Sequence, residues 1–138
     1  MDTTISIKIT DPVYKAGKTV SSFERFFLRF INDIRDMPFV RLCLVICLTT
    51  IPAAIYFFIS DEFNWWLAIL YFAYNSIFLM GPYILMLHNT SHSLFFKRKY
   101  NLLNKMVHWI IGPFFGETPE SYYAHHLGMH HPENNLPD

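Results

Sequence analysis

Apolar and polar positions alternate in long blocks along this chain. Leu42 to Ile59 reads LCLVICLTTIPAAIYFFI, 18 residues without a charge, and Trp65 to Leu87 reads WWLAILYFAYNSIFLMGPYILML, 23 residues again without one. Each run predicts a helix long enough for a hydrocarbon core of roughly 30 Å, at 1.5 Å of rise per residue. Pro52 lies inside the first run, where a spanning helix tolerates it if the freed carbonyl finds a partner. The five residues between the runs, Ser60 to Asn64, are too few for a domain, so the pair predicts a helical hairpin. Upstream, Ser21 and Glu24 fit a capping box. Phe23, Phe26, Phe27, Phe30, Ile31 and Ile34 then recur at helical spacing, with Glu24, Arg25, Arg29, Asn32 and Asp33 mostly on the other side. That pattern predicts an amphipathic helix over 21–37, ended by Pro38 and lying in a membrane interface or against the protein's own cap. Residues 1–20 carry no strong signal and read as a tail; no apolar stretch in them marks a signal peptide. Residues 88–138 follow as a polar segment, within which VHWIIGPFF (107–115) is too short to span and reads as interfacial or re-entrant.

Composition agrees with a chain that meets lipid: of 138 residues 52% are hydrophobic, 18% aromatic and only 16% charged, against about 25% charged in an ordinary soluble domain. Eleven basic and eleven acidic residues cancel, which removes the basic excess expected of a nucleic-acid binder. The charges are unevenly placed. Arg25, Arg29, Arg35 and Arg41 precede the first run, Lys97, Arg98, Lys99 and Lys105 follow the second, and the turn holds Asp61 and Glu62. The positive-inside rule then puts both ends in the cytoplasm and the turn outside, with Trp65 and Trp66 at headgroup level. Cys43 and Cys47 sit four apart within the first run and form no disulfide framework. The predicted class is an all-α, multi-pass membrane protein: a spanning hairpin, an interfacial helix and a cytoplasmic helix carrying histidines.

The histidines carry the chemistry. His88 and His92, in HNTSH, share a helix face and can ligate one metal or two adjacent ones. Four of the seven histidines fall within HHLGMHH, His125 to His131. Thr118, Pro119 and Glu120 make a helix start, and Pro132 discourages continuation beyond His131. On such a helix His126 and His130 share a face, His131 serves a neighbouring ligand position and His125 is an extra. Gly128 and Met129 inside the cluster separate it from an appended tag. His108 stands outside both boxes and reads as interfacial, or as a support for a ligand. Imidazoles suit Zn, Cu, Fe and Ni, and spacing does not choose among them. Five or six ligands exceed the need of one tetrahedral ion, so two ions are the economical reading.

The order of hairpin, H-x-x-x-H (HNTSH, 88–92) and H-x-x-x-H-H (HLGMHH, 126–131) resembles the membrane-bound fatty acid desaturase and hydroxylase family, as do the phrases MLHNTSH and GPFFGETPESYYAHHLGMHHPENN. The resemblance covers roughly residues 40 to 135. It implies a cytoplasmic di-iron centre with His88, His92, His126, His130 and His131 as ligands and His125 as an addition. It also implies oxidation of a lipid acyl chain by O₂ and two electrons, the electrons coming from cytochrome b5 or a ferredoxin. The family's third box, H-x-x-H-H, has no counterpart among the seven histidines. The expectation is therefore a partial enzyme whose remaining ligands lie in a carboxy-terminal remainder. Hydroxylation of a lipid or carotenoid, and a non-catalytic membrane remnant or partner protein, stand as the alternatives.

Overall fold

The computed structural model describes residues 19–118, 121–126 and 128. They are predominantly helical, and no strand occurs among them. The elements are α1 (Ser22–Phe27), a 3-10 turn (Ile34–Asp36), α2 (Met37–Leu48), α3 (Thr50–Ile59), α4 (Trp65–Tyr74), a π turn (Asn75–Leu79) and α5 (Met80–His92). A second 3-10 turn (Arg98–Tyr100), α6 (Asn101–Met106), a second π turn (Val107–Ile111), a third 3-10 turn (Gly112–Phe115) and α7 (Ser121–His125) complete it.

Two helical stretches, Ile34–Ile59 and Trp65–His92, with 26 and 28 residues, are long and apolar enough to cross a membrane. They pack side by side in opposite directions. The Phe57 ring meets Tyr71 (5.6 Å), Thr50 Oγ1 donates to Asn75 Oδ1 (2.7 Å), and Cys43 Sγ lies 3.6 Å from Met86 Sδ. One stripe of α2, made of Met37, Val40, Cys43 and Ile46, is buried against Leu79, Tyr83, Met86 and Leu87. The opposite faces stay apolar and bare: Leu48 is 75% exposed, Phe58 93% and Trp66 82%.

Each interruption of these helices follows from a proline. A proline offers no N–H and its ring crowds the carbonyl four residues back. For Pro52 that carbonyl belongs to Leu48, and α2 gives way to α3 at Thr49. For Pro82 it belongs to Phe78, within the first π turn; for Pro113 it belongs to Trp109, within the second. The wider π turn absorbs the mismatch without ending the helix. Gly112 and Pro113 are residue types that disfavour a helix interior. Even so, the backbone stays helical from Asn101 to Phe115 and stops at Gly116, whose φ of +77° favours glycine.

The single amphipathic helix expected over 21–37 does not form. The Ser21–Glu24 capping box is present, but α1 ends at Phe27. Tertiary hydrogen bonds take over from there. Asn32 N donates to Phe95 O (3.1 Å), Asn32 Nδ2 to Leu94 O (2.6 Å), and Lys97 N to Phe30 O (2.8 Å). Ile31 and Phe96 thereby form an isolated antiparallel bridge. Asp33 restarts the chain by accepting from Arg35 N and from the Arg35 guanidinium (2.8 and 2.7 Å), contacts that hold its carboxyl below the usual range. Glu24, expected on the polar side, is buried, with Arg41 Nη2 3.7 Å away.

Beyond α5 the chain crosses this cap and then runs back along the pair. Asn104 holds Phe96 at both backbone atoms, accepting from its N–H (2.8 Å) and donating to its carbonyl (3.1 Å). Farther on, Val107 O accepts from Tyr83 Oη (3.3 Å), Phe115 stacks on Tyr83 (4.3 Å, 13°), and the 112–115 turn reaches α3. The Gly116 reversal then returns the chain to the end of α5.

Candidate metal centre

α5 ends on the first histidine box. The helix runs on past Leu87, where the charge-free stretch stops, and carries both His88 and His92 on its last turn. The residues between and beside them explain how it can end there. A helix leaves its last carbonyls without partners. Ser93 N and Ser93 Oγ donate to Asn89 O (3.1 and 3.3 Å), the first of those carbonyls, while Thr90 Oγ1 and Ser91 Oγ fold back onto Met86 O and His88 O (2.9 and 2.7 Å) within the helix. The hydroxyls of Thr90 and Ser91 are thus engaged by the helix's own backbone.

His126 comes to the same place from the returning segment. Ser121 Oγ donates to Thr118 O (2.8 Å) and to Glu117 Oε1 (3.1 Å), which sets α7 after the Gly116 turn. Gly112 lies beneath this turn: a Cβ there would stand 3.2 Å from Tyr83 Oη and 3.3 Å from Glu117 Cβ. The close approach lets the 112–117 segment turn against α5.

His88, His92 and His126 each offer a ring nitrogen, and the three lie within 4.8 Å of one another. His92 Nε2 and His126 Nε2 are 3.1 Å apart, so one N–H donates to the other nitrogen. The ring centroids are separated by 5.0 Å (88–92), 4.6 Å (88–126) and 5.2 Å (92–126), and the planes stand at 66°, 71° and 74°. His126 is buried while His88 and His92 are exposed, so the group has a closed side and an open one. The carboxy-terminal end of α5 adds the partial negative charge of its aligned peptides, which favours a cation.

These donors fit a first-row transition ion. Metal–nitrogen bonds of about 2.1 Å place adjacent nitrogens about 3 Å apart, which is the separation of His92 and His126. His88 offers the third nitrogen, within 4.8 Å of the other two. Three imidazoles on one side leave positions for other ligands, as catalytic metal sites do.

No family model, curated protein or solved structure matches this chain. What the centre can do rests on its own geometry.

Of the six histidines expected as ligands, the structure brings together His88, His92 and His126. His125 is exposed and stands outside this group. His130 and His131 lie outside the described residues, as do Pro119 and Glu120 of the expected helix start; the described part of that helix is Ser121–His125. His108 is buried on the second π turn.

Tyr122 escaped sequence reasoning. Its ring stacks on His126 at 5.1 Å and 19°. The i, i+4 spacing of Tyr122 and His126 is the signal that reveals it. Burial, and then the Glu117 carboxylate, push its phenol pKa up, so the ring carries no charge at neutral pH. Because the contact uses the ring face, Tyr122→Phe should leave metal affinity within about twofold, whereas Tyr122→Ala should lower it about tenfold, the size of losses from groups that orient a ligand. Competition with a calibrated chelator measures both. Equal affinities for the two variants would remove Tyr122 from the site.

Proposed function

We propose that this chain is part of a membrane-bound di-iron oxidoreductase that acts on lipid acyl chains, resembling the fatty acid desaturases and hydroxylases. The observation that carries the reading is the meeting of His88 and His92 with His126, 34 residues along the chain, at the end of a long apolar helix. The spacing of the two boxes and the three-nitrogen group support the same assignment. His130 and His131 are the further donors proposed for a second ion, and His125, exposed and outside the three-nitrogen group, is an extra.

The helical pair crosses the bilayer as a hairpin. Its bare outer faces carry leucine, phenylalanine and tryptophan; in water these would expose far more apolar area than a soluble protein tolerates. The cations flank one end and Asp61 and Glu62 occupy the other, a charge bias that supports a cytoplasmic side for the histidine-bearing end.

Bound iron would supply the O₂ chemistry that breaks an unactivated C–H bond. The chain's own residues hold the metal through imidazole nitrogens, keep His126 out of water beneath the stacked Tyr122, and leave His88 and His92 facing the open side. An apolar groove of about 290 Å³ lies between α3 and α4, lined by Thr49, Phe57, Tyr71 and Tyr74 among others. From Tyr74 to His88 is 14 residues of helix, about 21 Å, so this groove is not the approach to the metal. An acyl chain reaches the open side from the bilayer, and electrons come from a cytochrome b5 or ferredoxin type of donor.

The test is product analysis of acyl chains after expression with iron, O₂ and an electron donor, alone and together with a downstream segment bearing an H-x-x-H-H box. A new double bond or a retained hydroxyl that disappears with His92→Ala supports the reading, and a hydroxyl selects the hydroxylase form. Unchanged acyl chains with both partners present contradict it.

A further inference from the structure

We propose that residues 97–110 form a lipid-contacting face that selects anionic phospholipid headgroups. The helix from Asn101 to Ile111 has two apolar sides. Val107, His108 and Ile111 are buried inward, while Leu102 (81% exposed), Trp109 and Ile110 face outward. A short helix packed on a protein core in water needs only one apolar side. At 11 residues, about 16 Å, it cannot span, so its outer side is matched by lipid only if the segment dips into one leaflet.

The contacts along it describe such a dip. Its start is tied to the cap through Asn104 and Phe96, beyond the end of α5. Val107 then lies against Tyr83, nine residues before His92 and so about 14 Å back along the helix. Charge is graded in the same direction. Arg98, Lys99 and Lys105 are exposed toward the start, Trp109 and Ile110 toward the far end, and no Asp or Glu occurs from 97 to 116. Lys105 stands three residues from Leu102 and four from Trp109, where a lysine can rest its stem on the apolar ridge and lift its ammonium to the headgroups. Lys97 Nζ is engaged by Leu28 O (2.6 Å) and Lys99 Nζ lies over the Tyr100 ring (4.8 Å); Arg98, Lys99 and Lys105 are exposed and can meet phosphate. Three cations above an apolar ridge fit an anionic headgroup above its acyl chains. A water-soluble acidic partner would match the charges and not Trp109 or Ile110.

The proposal rests on the bilayer reading above, and tryptophan placement lets the two be tested apart. The chain has three tryptophans, Trp65, Trp66 and Trp109. In phospholipid nanodiscs, Trp65→Phe/Trp66→Phe leaves Trp109 as the probe, and Trp65→Phe/Trp109→Phe leaves Trp66. Lipids brominated on the acyl chain should quench both probes. For Trp109, brominated phosphatidylglycerol should associate about threefold more favourably than brominated phosphatidylcholine. Arg98→Gln/Lys99→Gln/Lys105→Gln should bring that ratio to one while bromine still quenches Trp109. Equal association of the two lipids with the unaltered face overturns the proposal. So does a Trp109 that aqueous iodide quenches and brominated lipid does not, the outcome expected if a soluble partner uses this face. Failure at Trp109 alone leaves the spanning hairpin standing; failure at Trp66 as well overturns both.

Discussion

His126→Ala should lower the affinity for a first-row divalent ion at least about 100-fold, beyond what loss of a merely orienting group costs. His125→Ala, one residue away, should change it less than about threefold. The two side chains are adjacent in sequence and identical in chemistry. Yet His126 is buried with its Nε2 3.1 Å from that of His92, whereas His125 is exposed and outside the three-nitrogen group. Removing His126 deletes the only buried donor of the three and the one contributed by the second box. Chelator competition on the folded, detergent-solubilised protein reads both values. Comparable losses in the two variants would mean that His125 also ligates.

The second large effect concerns stability. Phe95→Ala should cost about 3–5 kcal/mol, the range for truncating a fully buried phenylalanine. Phe95 is 2% exposed and touches Phe39 edge to face (6.3 Å) and Phe96 (4.4 Å). Its carbonyl accepts from Asn32 N (3.1 Å). It joins the segment after α5 to the amino-terminal part of the chain, where 28–32 and 94–97 meet. Leu94→Ala, at a 42% exposed neighbour, should cost less than about 1 kcal/mol. Denaturant unfolding followed by near-ultraviolet circular dichroism measures the difference. Equal costs at 94 and 95 would show that this junction does not hold the cap together.

The long helices were legible because a long charge-free run of helix-compatible residues leaves few alternatives to a helix, which bonds its peptide groups within the segment. Their interruptions were legible in part. Pro52, Pro82 and Pro113 mark where a hydrogen bond is missing, but whether a helix breaks or widens depends on what packs there; Tyr83 and Phe115 hold the last of these together. The amino-terminal segment could not be read correctly. Its periodicity favours one helix, and what ends it at Phe27 is a set of bonds from Asn32 and Lys97 across more than 60 residues. Local pattern contains none of that. At the metal centre, His88 and His92 were legible as a pair from spacing alone. Their meeting with His126 depends on the reversal at Gly116 and on Gly112 pressed against Tyr83, a closeness only the tertiary structure supplies.

The measurement closest to the central claim is X-ray absorption at the iron edge of the iron-loaded protein. At least three imidazole nitrogens should surround the metal at about 2.1 Å, and the outer-shell scattering of those rings should vanish, with the iron, in His88→Ala/His92→Ala/His126→Ala. Iron retained in that triple variant with an unchanged spectrum would contradict the account.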